Sequence, residues 1–259
     1  AADNAALPLR IAYHANVFRA FEEEAGRQAE FFQTGVELVG DSSSEADAEI
    51  VALAIASLKA AGVQHFKLAI GHVGFLNGLF DETLSDHPEV QQQLKDDLLN
   101  RDHVGYRHKL RSLPIPDQAK SELKSILRLR GGYEICSQAQ AITRDAKAKA
   151  ALQHLCEMWD VLEAYGVTEY VLIDLTMISD FSYYTGMTFE GYAGDLGFPV
   201  CSGGRYDNLL QQFGRSASAT GFALKTNRIL EALSGLQVEQ PERILIVYDA
   251  ANRRQALQH

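Results

Sequence analysis

The sequence predicts an α+β protein in which a block of helices interrupts a run of strands. Three observations carry that expectation: the chain opens on two alternating stretches split by a charged loop, a helical pattern dominates roughly residues 77–163, and strand patterns return after residue 164.

LRIAYHANVFRAF alternates enough for a strand, EEEAGRQ breaks it with charge and a glycine, and AEFFQTGVELVG resumes the alternation, which is a hairpin. The stretch DSSSEADAEIVALAIASLKAAG carries helix signals throughout. Ser42 and Glu45 have capping-box spacing, Ile50, Leu53, Ala54 and Leu58 share a face, and Gly62 ends the helix. Phe66, Leu68 and Ile70 alternate with Lys67 and Ala69 as a third strand. Pro88, Pro114, Pro116 and Gly131-Gly132 punctuate the helical block.

Strands are expected at Glu169 to Leu175, Tyr183 to Tyr192 and Phe198 to Ser202, and helices at Tyr206 to Phe213 and Thr226 to Leu233. The expected organisation is therefore a discontinuous core, 1–76 and 164–235, around a helical insertion at 77–163. ERILIVYD, a buried-strand run, would start a C-terminal α/β segment over 236–259. The opening AADNAALPLR lacks an initiator Met and runs almost at once into a strand, so a longer natural protein with a missing N-terminal portion is expected.

With 259 residues and 46% apolar content, the chain can bury one large core or two ordinary ones. Its formal net charge of −10 disfavours non-specific binding to nucleic acid or anionic membranes. Arg101 to Arg130 is locally basic, with eight Lys/Arg against three Asp/Glu, and is read as solvated helix faces rather than an RNA contact. Cys136, Cys156 and Cys201 are too scattered for a disulfide framework or zinc site. With no 18-residue apolar run and no signal-peptide pattern, a soluble protein of the reducing cytoplasm is expected.

No Walker loop, HExxH, GxSxG or Rossmann fingerprint appears, and the eight histidines lack metal-ligand spacing, so neither metal nor cofactor is expected. His14, His72 and His103 are read as structural or surface residues. Three segments stand out. In CSGGRYDNLLQQFG, Gly203 and Gly204 either let backbone N–H groups approach a ligand or make a tight turn. In ASATGFALKTNRILEAL, Arg228 falls in the first turns of a helix, where a guanidinium meets an anion or simply solvent. In VFRAFEEEAGRQAEFFQTGVELVG, Arg19 and Arg27 flank the hairpin loop, and Gln33 and Glu37, four apart on a strand, share a face.

The order FR, GR, FxQxGVELVG, then SYYTGMTFEGY, GGRYDNLL and ATGFAL with Arg228, split by a helical insertion, resembles the catalytic domain of the histidyl-tRNA synthetases over nearly all of residues 9–235. The resemblance implies a class II aminoacyl-tRNA synthetase-like antiparallel sheet flanked by helices. Arg19 would belong to the second class-defining motif and Arg228 to the third, with the dimer-building first motif upstream of residue 1. It also implies that Gln33, Glu37, Tyr183 and Tyr184 hold the ammonium and imidazole of histidine, with Gly203 and Gly204 as a wall. A carboxylate, an amide oxygen and phenol oxygens are the acceptors such donors need.

Three positions depart from that pattern, all in the nucleotide and adenylation half. Ser179 stands where the family has an arginine that stabilises the reacting carboxylate and phosphate, and losing one such donor costs on the order of 10²–10³ in rate. Phe21 replaces an adenine-side glutamate, and Lys225 replaces a glycine that leaves room for the nucleotide.

A pocket that keeps the amino acid and discards the chemistry resembles the regulatory subunits of ATP phosphoribosyltransferase, a synthetase-like family of histidine biosynthesis. That likeness implies no catalytic residue and L-histidine as feedback effector. It further implies a short-form catalytic subunit as hetero-oligomeric partner, self-association as a dimer, and no part for a membrane or tRNA. Arg19, Arg27 and Arg228 would be at most a residual anion site. Two alternatives stand beside it: a divergent histidyl-tRNA synthetase activating histidine with ATP, and a synthetase-like RNA-sensing module of a larger kinase.

Overall fold

The opening hairpin forms as the alternation predicts, and only its second strand is flanked on both sides. A computed structural model describes residues 6–18, 30–178, 183–194, 196–233 and 251–256. Strand β1 (Leu9–Phe18) pairs antiparallel with β2 (Glu30–Val39). Helix α1 (Ser44–Ala60) follows, then β3 (Phe66–His72). Ser43, not Ser42, caps α1, accepting from Ala46 N at 3.2 Å. Asp41 Oδ1 selects it by accepting from the Ser43 amide and hydroxyl at 2.9 and 2.6 Å. Gly62 ends the helix as predicted, at φ +87°, a conformation glycine adopts without strain.

The helical stretch holds α2 (Val73–Leu84), α3 (Pro88–Leu99), α4 (His103–Ser112), α5 (Asp117–Ser125), α6 (Glu134–Gln140) and α7 (Ala146–Ala164). Pro88 opens α3 at its first turn and Pro116 precedes α5, as proline's missing N–H requires. One feature departs from the pattern: Arg130–Gly131 form a short strand, β4, antiparallel to β5 (Val171–Asp174). One continuous apolar cluster runs from Leu38 through Leu94, Leu123 and Leu155 to Phe222, so sheet and helices share a core. At the α3–α4 corner Arg101, at φ +56°, donates to Tyr192 Oη, stacks over its ring at 5.3 Å and lies 4.0 Å from Glu190.

The remaining strands are β6 (Met187–Ala193), β7 (Pro199–Arg205) and β8 (Ala219–Lys225), which runs into α8 (Thr226–Ala232). The eight-stranded order is β1-β2-β8-β7-β6-β3-β5-β4. Every pair is antiparallel except β3 with β5, whose long helical connection is what a parallel pair needs.

Tyr206 to Phe213, expected as a helix, is a turn ending in a 3₁₀ segment, Leu210–Phe213. Asp207 withdraws the backbone from helix formation: its amide donates to Thr185 Oγ1 at 3.0 Å and its Oδ1 accepts from Ala219 N at 3.1 Å. ERILIVYD lies outside the described residues. Of the last segment, residues 251–256 are described, including a short helix, α9 (Arg253–Ala256). Among the described residues the three cysteines are free and buried, no cluster suits a metal, and no helix is long and apolar enough to cross a membrane.

Residues paired across neighbouring strands share a face. On one face, Leu38, Thr220, Arg205 and Met187 look toward the core, where α1 packs on β2, β7 and β8 and α7 on β3. Arg205 is the polar centre there. Its guanidinium donates to both Asp47 oxygens at 2.9 and 3.0 Å, to Asp41 O and Ser43 O at 3.0 and 3.2 Å, and to Asp207 at 3.1 Å. His154 Nε2 lies 2.7 Å from Asp47 Oδ2.

His72 sits beside this group, edge-on to His154, and caps α2 by accepting from Gly74 N at 3.0 Å, a structural role as the sequence suggests. Burial, then the neighbouring His154, pushes its pKa down to about 3. The unfolded chain therefore binds a proton at this residue below about pH 6.5 that the folded chain refuses, so stability rises with pH across that window. His72→Asn keeps a capping oxygen and removes the titration. The loss of unfolding free energy per pH unit between pH 6.5 and 4 is expected to be smaller in the variant by about 1.4 kcal/mol. Denaturant titrations at several pH values check it, and equal slopes would refute the assignment.

Candidate ligand-binding site

The opposite face of the sheet carries the site. One row across the strands reads Ile11, Glu37, Gly221, Gly204, Thr188 and Gly71. Glu37 is flanked by Gly221 for a steric reason: a Cβ there would stand 1.8 Å from Glu37 Oε2 and 2.6 Å from Val36 O. Its carboxylate thus lies flat over the strand beside it, where Tyr206 donates its hydroxyl to Oε2. Burial raises the Glu37 pKa and the Tyr206 bond opposes that rise. The Tyr206 hydroxyl is itself pushed up by burial and by the carboxylate it serves, so it remains a neutral donor.

Tyr183 and Tyr184 complete this wall. Their ring centroids are 4.6 Å apart, and Tyr183 meets Tyr206 edge-on at 5.9 Å. Tyr184 lies over Gly204, where a Cβ would come within 2.9 Å of its ring. Burial, then Tyr183, raises its phenol pKa. Farther along β2, Gln33 Nε2 donates to Tyr13 Oη, and Tyr13 lies across Gly35. Lys225 pairs with Gln33 in the register of β8, which places both on this face. Thr188 is buried in the same row, and its hydroxyl has no hydrogen-bond partner.

The structure therefore brings Gln33, Glu37, Tyr183, Tyr184 and Gly204 together on one face. Gly203 is not with them: strand alternation turns it to the core face, where a Cβ would press on Phe189 and Phe222 at 2.7 Å. Both glycines lie inside β7 and pair with β6 and β8, so neither forms the strand-to-helix turn that the sequence suggested. Arg228 occupies the third position of α8, donates to Pro199 O at 3.0 Å and stacks on Phe198 at 5.0 Å. Arg19, Arg27, Phe21 and Ser179 lie outside the described residues. Sequence alone singles out neither Tyr206 nor Tyr13: Tyr206 stands in the GGRYD motif at the expected start of a helix, and nothing in the alternation of β1 marks Tyr13 as facing Gln33.

The histidyl-tRNA synthetase family profile matches residues 2–229. The chain belongs to the histidyl-tRNA synthetase family. Among its relatives in sequence is the ATP phosphoribosyltransferase regulatory subunit of Bacillus licheniformis, 48% identical over 251 residues, which are 96% of this chain and 63% of that protein. The protein of the same name from Bacillus subtilis is 47% identical, over 96% of this chain and 63% of its own length. The chain thus spans under two thirds of the curated relatives it matches. An ATP phosphoribosyltransferase regulatory subunit/histidyl-tRNA synthetase from Bacillus halodurans superposes with a TM-score of 0.89 at 43% identity, covering 98% of this chain and 64% of that one. A histidyl-tRNA synthetase from Nostoc, 20% identical, shares the fold with a TM-score of 0.76 over 90% of this chain and 56% of its own. The class II synthetase-like fold predicted from the motifs is therefore the fold of this chain.

Proposed function

We propose that the chain belongs to a non-catalytic regulatory subunit of ATP phosphoribosyltransferase in histidine biosynthesis. In this role it is required by a separate short catalytic subunit and conveys feedback inhibition by histidine. The complex works in the cytoplasm, and the regulatory subunit self-associates as a dimer. The regulatory subunits at 47–48% identity support this assignment. The single observation that carries it is that an assembled acceptor pocket around Glu37 shares its face with Lys225, a long cationic side chain where the synthetases keep a glycine.

Histidine presents N–H donors from its imidazole and ammonium, and Glu37, Gln33 and the phenols of Tyr183, Tyr184 and Tyr206 are matched to them. A polar pocket of this kind rejects analogues that leave its groups unpaired. Regulation follows if histidine binds one conformation of the complex better than another, with a coupling of about 1–3 kcal/mol.

Calorimetric titration with histidine and, separately, with ATP and magnesium tests the assignment. Histidine is expected to bind and ATP not to bind. Glu37→Gln is expected to weaken histidine binding about 10–100-fold, the worth of a charge-assisted hydrogen bond, and to relieve inhibition of the complex reconstituted with the short transferase. Histidine-dependent ATP–pyrophosphate exchange would instead make the chain a working synthetase. Unchanged histidine binding by Glu37→Gln would remove the pocket from the assignment.

A further inference from the structure

We infer that Tyr13 competes with histidine for Gln33: its phenol is seated between Gln33 and Glu37, and the ligand binds by lifting it. The inference rests on the histidine-sensor assignment above and supplies the two-state element which that assignment requires. Gln33 and Glu37 are four apart on β2, about 13 Å of strand, and both are matched to N–H donors of one small ligand. The ground between them is taken. Tyr13 pairs with Gly35 in the β1–β2 register, and its ring crosses the bare backbone there, where a Cβ on Gly35 would stand 2.3 Å from its Cζ. Gln33 Nε2 donates to the hydroxyl of the same ring. The amide that the ligand needs is thus already engaged by a residue of the chain itself.

The seat suits both occupation and release. Glycine at position 35 lets the ring lie flat, since a side chain there would hold it off. Toward Glu37 the same phenol joins the polar group: burial, Glu37 and Tyr183 raise the Tyr206 pKa, and Tyr13 adds to them. Release is open because β1 is the outermost strand of the sheet, with Tyr13 half-buried and Ile11, two residues along, 49% exposed. The ring therefore swings outward without crossing another strand. What the ligand must displace is a neutral hydrogen bond and part of a ring face, a contact of the size that ligand binding overcomes. A chain in which the ring is seated most of the time binds histidine with an affinity reduced by the fraction in which it is lifted. Lifting also changes the exposed side of β1, so pocket occupancy is expressed on the outer edge of the sheet.

The test titrates the full-length chain with histidine, followed by calorimetry, and with imidazole, followed by NMR shifts. Imidazole is too short to reach from Glu37 to Gln33. Tyr13→Ala is expected to bind histidine about 3–10-fold more tightly than the unaltered chain, the worth of the hydrogen bond released. Its imidazole affinity is expected to stay within about twofold of the original. Tyr13→Phe keeps the ring on Gly35 and gives up only the hydroxyl, so a gain of about 2–5-fold for histidine is expected. Unchanged or weaker histidine binding by folded Tyr13→Ala overturns the inference and leaves the sensor assignment standing, because the ring is then a bystander or a wall of the pocket. An equal gain for both ligands also overturns it, since competition for Gln33 does not act on imidazole. Should Tyr13→Ala fail to fold, Tyr13→Phe decides, and no gain for histidine defeats the inference. Histidine binding by neither the unaltered chain nor the Tyr13 variants defeats the sensor assignment itself, and this inference with it.

Discussion

Gly221→Ala is expected to weaken histidine binding by about a hundredfold or more while leaving a folded chain. The new methyl carbon would sit 1.8 Å from Glu37 Oε2 and 2.6 Å from Val36 O. The first contact is relieved by swinging the carboxylate away, which breaks its bond with Tyr206 and removes the charged acceptor, worth about 1.5–3 kcal/mol. The second is with backbone and forces β2 and β8 apart, an overpacking cost of about 1–3 kcal/mol that falls on stability and on pocket geometry together. Calorimetry reads the first effect and denaturant unfolding the second. Gly203→Ala, whose Cβ would meet Gly221 O at 2.4 Å and Phe189 and Phe222 at 2.7 Å but no group of the Glu37 pocket, is expected to lose stability with a smaller effect on binding. Equal loss of histidine binding in both variants would mean that the two faces of β7 are not the functional divide described above.

Asp47→Ala is expected to cost about 3–5 kcal/mol of folding stability, because it strands the Arg205 guanidinium in the core. Arg205 is 4% exposed and Asp47 is fully buried, 158 residues apart in sequence. Burial pushes the Asp47 pKa up, and the contacts with His154 and Arg205 more than reverse it, holding the group below the usual carboxylate range. A depressed pKa contributes stability above the unfolded value near 4, lost as pH falls through the folded one. A small domain has only about 5–15 kcal/mol in total, so the variant should unfold at markedly lower denaturant. A change below about 1 kcal/mol would show that the remaining carbonyl and Asp207 bonds satisfy Arg205 alone.

The parts of the fold that announced themselves were those with local causes. The β1–β2 hairpin and α1 with its terminal Gly62 follow from alternation and glycine placement within a few residues. The pairing of Gln33 and Glu37 on one face follows from the same period of two. What escaped was decided at a distance. The turn at Tyr206 to Phe213 has helix-like apolar spacing, yet Thr185 and Ala219 claim the groups of Asp207. Arg205 gave no sign of being buried, because its partner Asp47 lies on α1. Gly203 and Gly204 looked equivalent as a pair, and only the register shows that one lines the pocket and the other the core. The capping box read at Ser42 is displaced by one residue, because Asp41 holds Ser43 in the capping position.

The single parallel pair also constrains how the chain acquires its structure. Leu68 to Ile70 can meet Val171 to Ile173 only after all of α2 to α7 has been drawn in, because that whole segment connects the two strands. The entropy of closing such a loop grows only logarithmically with length, so the final pairing is not thereby weakened. Its rate is another matter, since distant contacts reward the chain late. The helical segment therefore has to reach a compact form early, and substitutions within its apolar cluster should slow refolding as well as lower equilibrium stability.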